Sequence, residues 1–341
     1  MNRSRLVVAA STFVVAVGAL AAMGALYLDP ARAAVGPLPA EGLVLPADAQ
    51  FVAGIDVRRF VASPFYGRFS ETTSASRPQA FAEMEEKTGI NPERDVDAIY
   101  MAGRKGPGKG RDGDGVVVVV GTFDRYKVQR AIETAGKDVS TLNYQGTSMY
   151  LFNEGSGKRK AGAVAFLDDR SLVMGSRTSV EQAIAAKATG QSGVRGNAAM
   201  IALLETVRPG STFWMVGDQS VLSQMPKGLP APGGDGAEAG VSLPQLKTVV
   251  VTGDLDPVIS IEATGEAADA GAAQNLADVV RGLVALASLQ ANQKPELKQL
   301  ASAVSVTTDA NKVHVQARFG YDLLDSLKAK KSAAVAAPTA Q

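Results

Sequence analysis

The stretch Phe51-Val-Ala-Gly-Ile-Asp56 decides the fold that we predict, because a second stretch, Phe213-Trp-Met-Val-Gly-Asp218, resembles it closely. Each stretch has the apolar composition of a β-strand and ends on an aspartate that precedes a predicted helix. The phenylalanine and the aspartate stand at the same offset in both. This recurrence predicts that the chain contains two copies of one structural unit.

The segments after the two stretches come in a similar order. Predicted strands of the first half are Val96–Ala102, Val116–Val120, Ala163–Leu167 and Ser171–Gly175, and their counterparts are Leu246–Gly253, Val258–Ala263, Ala303–Thr307 and Lys312–Phe319. The hairpin Leu142–Phe152 has no counterpart. Helices are predicted over residues 58–69, 79–88, 124–135 and 266–289, and from the capping-box pattern Thr178-x-x-Glu181. We therefore predict an α+β fold of two related units, each a mainly antiparallel sheet with helices on one face.

An uncharged stretch near the N-terminus, Leu6–Leu28, follows Arg3 and Arg5. As a helix it would span roughly 35 Å, which is enough to cross a hydrocarbon core of about 30 Å. The two arginines favour a cytoplasmic N-terminus. We therefore predict a single-pass membrane protein with extracytoplasmic domains, which are periplasmic in a Gram-negative cell. A signal peptide cleaved after Ala33 is the alternative, because Ala31-Arg32-Ala33 fits a cleavage site.

The predicted domain organisation follows from these segments. It comprises an anchor or signal peptide (1–33), a linker containing Pro and Gly (34–45), a first α+β unit (46–190), a second unit (191–328) and a disordered tail rich in Lys and Ala (329–341).

Composition excludes several classes of function. The chain has 341 residues, a net charge of +1, no cysteine and one histidine. Disulfides and thiolate chemistry are impossible, and the charge argues against general nucleic-acid binding, which requires many cations facing phosphates. Because no nucleophile, metal-ligand or acid–base motif is present, we predict no cofactor and no enzymatic activity.

Two basic loops are the candidate contact sites. They contain Arg104, Lys105, Lys109 and Arg111 in the first loop and Lys158, Arg159 and Lys160 in the second. If the sheet brings the loops together, they would face anionic lipid or an acidic partner. The alternative is that they are solvated loop tips. Gly103–Gly110 resembles a phosphate-binding loop but lacks the Ser or Thr that would hold the metal.

Four further residues have structural interpretations. His314 shares a strand face with Lys312, Gln316 and Arg318, which predicts a position towards solvent. Asp56 and Asp218 are predicted to cap helix N-termini. Trp214 is predicted to fill the second core, and an exposed Trp214 would instead indicate a contact site.

The opening Leu45-Pro-Ala-Asp-Ala-Gln-Phe-Val-Ala-Gly-Ile-Asp-Val57, with Ser63-Pro64 after it, resembles uncharacterised bacterial exported proteins. The Tyr144-Gln145-Gly146 hairpin is also similar. Members of this group look like N-terminally anchored chains with repeated α+β units. The resemblance implies an extracytoplasmic location and carries over no activity or site residue.

These observations predict a membrane-anchored extracytoplasmic binding or scaffold protein, an accessory subunit of a larger envelope complex. Its expected partners are membrane lipid, through the N-terminal helix, and another envelope protein, with no nucleic acid. One alternative is a carrier of an apolar or lipid-like ligand in a pocket between sheet and helices. The other is an enzyme that uses Asp and Glu alone.

Overall fold

The computed structural model describes residues 38–39, 41–72, 77–104, 114–134, 139–153, 161–190, 193–219, 245–289, 299 and 301–326. The predicted anchor (1–33) and the predicted tail (329–341) lie outside these residues. Within the described ranges, no helix has both the length and the apolar character that a membrane crossing requires.

The described strands form one antiparallel sheet of twelve strands. Their bounds are β1 Phe51–Asp56, β2 Val96–Arg104, β3 Asp114–Gly121, β4 Val139–Tyr144, β5 Thr147–Phe152, β6 Gly162–Phe166, β7 Ser171–Gly175, β8 Phe213–Asp218, β9 Leu246–Asp254, β10 Ile259–Ala267, β11 Val304–Asp309 and β12 Lys312–Phe319. The order across the sheet is β11-β12-β10-β9-β8-β1-β2-β3-β7-β6-β5-β4. The predicted α+β class with antiparallel strand pairing is thus confirmed, although the strands of the two predicted units form one continuous sheet instead of one sheet each.

The described helices connect these strands. Their bounds are α1 Val57–Ala62, α2 Pro64–Thr72, α3 Arg77–Thr88, α4 Pro92–Asp95, α5 Arg125–Thr134, α6 Arg177–Thr189, α7 Ala198–Glu205 and α8 Ala270–Leu289, and residues 321–326 are also helical. The single helix predicted over 58–69 is two helices, because Pro64 begins α2 and the Ser63 hydroxyl bonds to the Phe60 carbonyl. The predicted capping box at Thr178 is wrong, since Ser176 is the N-cap of α6.

The halves of the sheet meet where β1 pairs with β8. Ala53 lies opposite Met215, with Phe51 opposite Gly217 and Ile55 opposite Phe213. Outward from this junction the order is β1-β2-β3-β7-β6 on one side and β8-β9-β10-β12-β11 on the other. The hairpin β4–β5 extends the first half alone.

Both faces of the first half of the sheet are covered, so the prediction of helices on one face is wrong for this half. We call the side of Val118 face A and the side of Val119 face B; both residues are buried, in different clusters. Residues of α6 and α7 pack on face A, whereas residues of α1 and α5 pack on face B. The five consecutive valines of β3 serve both cores, as a strand buried on two sides requires.

The second half of the sheet is covered differently. On face B, Leu276 of α8 packs with Val313 of β12, and Tyr321 packs with Ile259 and Ile261 of β10. On face A, β10 and β12 carry mainly polar side chains. No helix of the described residues packs on face A beyond α7, which contacts β8.

Residues 38–39 and 41–49, which we call the N-terminal strap, belong to the core of face A. Leu38, Val44, Leu45 and Ala49 are all buried in the cluster that contains Val118. The strap lies close to the turn at Gly193, where a Cβ atom would clash with the Leu43 carbonyl oxygen. The predicted linker over residues 34–45 is therefore corrected from Leu38 onward, because these apolar side chains fill the first core.

Candidate binding surface

A polar surface occupies face A of the second half. We call it the polar face; it is formed by Thr248, Glu262, Thr264, Glu266, Ser305, Thr307, His314 and Gln316, while Thr252 on the same side of the sheet is buried. The strands place these side chains together because every second residue of β10 and β12 points to the same side. The residues between them, such as Ile261 and Val313, are buried on face B.

Glu262 is at the centre of the best-connected group on the polar face. Both of its carboxylate oxygens accept bonds from the Arg208 guanidinium at 3.0 Å, and Gln316 Nε2 donates to Oε1 at 2.8 Å. The Glu262 side chain is 31% exposed and that of Arg208 is 46% exposed. A carboxylate held by a guanidinium and an amide is fixed in position, and its charge is balanced by the guanidinium. Such a group suits the recognition of a binding partner better than the transfer of a proton.

Two further contacts cross the strands of the polar face. Thr264 Oγ1 and His314 Nδ1 are 3.0 Å apart, and Asn311 Nδ2 donates to Glu266 Oε1 at 3.2 Å. His314 lies on the strand face that was predicted for it, where it is half-buried and within hydrogen-bond distance of Thr264. Among the described residues, no group of three or more His, Cys, Asp or Glu side chains is arranged to hold a metal ion.

Arg104, the first predicted contact residue, is not a free loop-tip cation. Its guanidinium bonds to Asp114 at 2.6 Å and also to Asp48 of the strap, and its side chain is only 19% exposed. Burial raises the pKa of Asp114, but hydrogen bonds from Ser176, Arg104 and Ser179 outweigh it and lower this pKa below its usual value. Arg104 therefore joins the sheet to the strap instead of facing an external anion.

The six other predicted contact residues lie outside the described residues. They are Lys105, Lys109, Arg111, Lys158, Arg159 and Lys160. The strand ends that bear their loops can be described: Val116 of β3 pairs with Gly175 of β7, which pairs with Ala163 of β6. The two loops therefore adjoin the same end of neighbouring strands, with β7 between β3 and β6.

The remaining predictions have mixed outcomes. Asp56 caps α1, as predicted, because its Oδ1 accepts a bond from the Arg59 amide at 2.9 Å. The residues after Gln219, over which Asp218 was predicted to cap a helix, lie outside the described residues. Trp214 is buried at 3% exposure, but in the first core, against Tyr100, and not in the second.

One cavity of about 490 Å³ lies between α2 and the helical residues 321–326. Its lining comprises Pro64, Gly67, Arg68 and Asp325, and Arg68 Nε is 3.0 Å from Asp325 Oδ2. An ion pair in the wall does not provide the apolar lining that the carrier alternative needs at this position.

Sequence reasoning missed the group of Arg208, Glu262 and Gln316. The alternation of polar and apolar residues through Ser260–Glu266 is the signal that could have found the polar face. The contact of Arg208 with Glu262 joins residues 54 positions apart and depends on the packing of α7 beside β8.

No family model, curated protein or solved structure matches the chain.

Proposed function

We propose that the protein is a membrane-anchored extracytoplasmic binding or scaffold protein, an accessory subunit of a larger envelope complex. The observation that carries this proposal is the polar face. The first half of the same sheet is covered on both faces. In the second half, face B is packed against α8, and the polar face lies on face A.

The polar face has the properties of a recognition surface. Its side chains stand on four hydrogen-bonded strands, and the bonds around Glu262 and between Thr264 and His314 fix several of them in place. Fixed donors and acceptors lose little conformational entropy when a partner binds, which favours specific association. The exposed Ser305 and Thr307 at its margin supply further hydrogen-bonding groups.

We also propose that the two halves of the sheet are related units. The pairing register supports this, because the equivalent residues Ala53 and Met215 lie opposite each other at the junction. On either side, Met101 lies opposite Ala53 and Val251 lies opposite Met215. A duplicated unit joined to its copy through its first strand would give this symmetric order.

The membrane anchor completes the proposal. Leu6–Leu28 supports it by its length and lack of charge. Leu38 is the first of the described residues that is buried in the core, and the nine residues after Asp29 reach at most about 32 Å even when extended. The domain would therefore stand close to the membrane surface. Intact-mass measurement of the native protein tests this step, since a chain that starts at Ala34 would show a cleaved signal peptide instead.

Site-specific photo-crosslinking in cells tests the binding role. A photoreactive residue is placed at Thr307, which is exposed at the margin of the polar face, and in a separate variant at Tyr126. Tyr126 is 67% exposed on α5, which packs on face B, and serves as the matched control. We expect a discrete crosslinked envelope protein from Thr307 and none from Tyr126.

The same experiment can overturn the proposal. Crosslinking from neither position, in cells that contain the native amount of protein, would contradict a partner on the polar face. Equal crosslinking from both positions would show that the contacts are non-specific. A product from Tyr126 alone would place the partner on the opposite side of the sheet.

A further inference from the structure

The two edges of the sheet differ in how their backbone groups are satisfied. At one edge, the Ala303 carbonyl accepts a bond from the Arg318 amide at 3.0 Å. Hydrogen-bonded pairs alternate along an antiparallel ladder, so the backbone groups of Val304, Val306 and Thr308 point away from β12. Arg281 of α8 donates to the Val306 carbonyl at 3.1 Å. In the middle of this edge, the outward carbonyl of Val306 is therefore already bonded to a charged side chain, and we call this edge capped.

The other edge is formed by β4 of the β4–β5 hairpin. Gln145 and Gly146 have φ values of 49° and 82°, which form the two-residue turn typical of such hairpins. Tyr144 and Thr147 next to the turn are then a hydrogen-bonded pair. By the same alternation, the backbone groups of Val139, Thr141 and Asn143 point outward. Among the described residues, no backbone group bonds to the outward groups of Thr141 or Asn143.

Within its described residues, the β4 edge also carries none of the charges, prolines or bulges that usually protect an edge strand. Residues 139–152 contain no charged residue and no proline. Ser140, Thr141 and Asn143 are exposed, and β4 pairs with β5 without a register shift that would mark a bulge. Soluble proteins normally protect an edge strand with charges, proline or bulges, because open backbone groups template association. An edge with none of these features is suited to pairing with another strand.

We propose that the β4 edge pairs with the β4 edge of a second copy of this chain in a two-fold dimer. One antiparallel register uses all three outward residues: Thr141 opposite Thr141 of the second copy, and Val139 opposite Asn143. The pairing is self-complementary, as a two-fold interface requires, and the absence of charge removes repulsion between identical strands. Threonine opposite threonine is a favourable cross-strand pair. This inference goes beyond the proposed function and does not depend on it.

Disulfide trapping tests the register directly, because the native chain has no cysteine. Directly opposed residues of a hydrogen-bonded antiparallel pair have Cα atoms about 5.5 Å apart, within the roughly 4.4–6.8 Å of disulfides. Thr141→Cys in the full chain should form a covalent dimer under mild oxidation. Thr307→Cys, at another exposed threonine, on the edge strand β11 that Arg281 contacts, should not.

A charge substitution provides the second measurement. In size-exclusion chromatography with light scattering, the native full chain should run as a dimer. Thr141→Lys should weaken the dimer by at least about five-fold, because two lysines would lie directly opposite each other. Thr307→Lys should leave the mass unchanged, and thermal melting should show both variants folded.

A native chain that is monomeric at tens of micromolar overturns the inference. So does a dimer that Thr141→Lys leaves intact while Thr141→Cys fails to crosslink. These outcomes are independent of the photo-crosslinking at Thr307, so failure of the dimer and failure of the binding proposal can be distinguished.

Discussion

The two halves of the sheet present different surfaces on the same face. Val118 in the third strand outward from the junction is completely buried, whereas Thr264, at the corresponding position of the other half, is half-exposed. The strand order outward from the junction is the same in both halves. Among the described residues, the difference lies in what covers each half. The strap, α6 and α7 cover the first half, whereas in the second half their cluster reaches only Trp214 and Val216 of β8 and Val250 of β9. The same strand order can thus carry a sealed core in one half and a half-exposed polar surface in the other.

The largest expected effect breaks the cover of the first half. Leu45 of the strap is completely buried, so Leu45→Ala should lower the free energy of unfolding by about 3–4 kcal/mol. Leu324→Ala in the helical residues 321–326 is the matched control; its side chain is half-buried, and we expect a loss of about 1 kcal/mol. Urea denaturation of both variants provides the measurement. Equal losses would contradict the assignment of the strap to the core.

The next prediction concerns the junction between the halves. A Cβ atom on Gly54 would lie 2.6 Å from Cζ2 of Trp214, whose ring is buried and has little room to move. Gly54→Ala should therefore cost about 2–3 kcal/mol by overpacking. Gly67→Ala is the control, because nothing lies within 4 Å of that Cβ position in α2. The control should be neutral or slightly stabilising, since alanine favours a helix more than glycine does.

Exchanging residue types between the halves sharpens the comparison. Val118→Thr places a hydroxyl in a sealed apolar core and should cost about 2 kcal/mol. Thr264→Val should change stability by less than about 1 kcal/mol, because it removes only the bond to His314 on a half-exposed surface. Thermal unfolding of the pair gives the answer. Similar costs for the two substitutions would mean that face A is equally closed in both halves.

The strands were predictable from sequence because alternation and turn residues are local signals. Ser171–Gly175 and Lys312–Phe319, for example, were predicted within the bounds that the structure shows. The strap was not, because the Pro and Gly residues in 34–45 are typical of a linker, and only non-local packing buries Leu38 and Leu45. Non-local packing also decides on which face of a sheet a helix lies. For this reason the sequence predicted helices on one face only, although both faces of the first half are covered.

The candidate site was less predictable than the fold. Arg104 was predicted to contact an external anion because of its charge. Its ion pair with Asp48, 56 positions away in the sequence, instead joins the sheet to the strap. The contact of Arg208 with Glu262 depends equally on tertiary packing. A sequence pattern identifies which residues share a strand face, whereas the neighbouring elements determine whether that face is open.

The smallest expected effect concerns the cross-strand pair that holds the strap. Arg104 and Asp114 face each other on β2 and β3, whereas the corresponding residues of the second half are Asp254 and Ser260, which form no ion pair. Because the pKa of Asp114 is lowered in the fold, its ionised form stabilises the native state above the usual pKa of about 4. This contribution is lost as the pH falls below 4 through the lower folded pKa.

Asp114→Asn should therefore be less stable than the native chain by about 1 kcal/mol at pH 6, and the difference should shrink as the pH is lowered to 3. Ser179→Ala provides a graded control, because it removes one hydrogen bond, at 3.0 Å, while leaving the carboxylate and Arg104 in place. Its pH dependence should lie between those of the native chain and Asp114→Asn in urea titrations. A difference between the native chain and Asp114→Asn that stays constant from pH 6 to 3 would show that Asp114 acts through packing and not through its charge. The strap would then be held by its apolar side chains alone, and the contrast between the two halves would depend on burial without an electrostatic contribution.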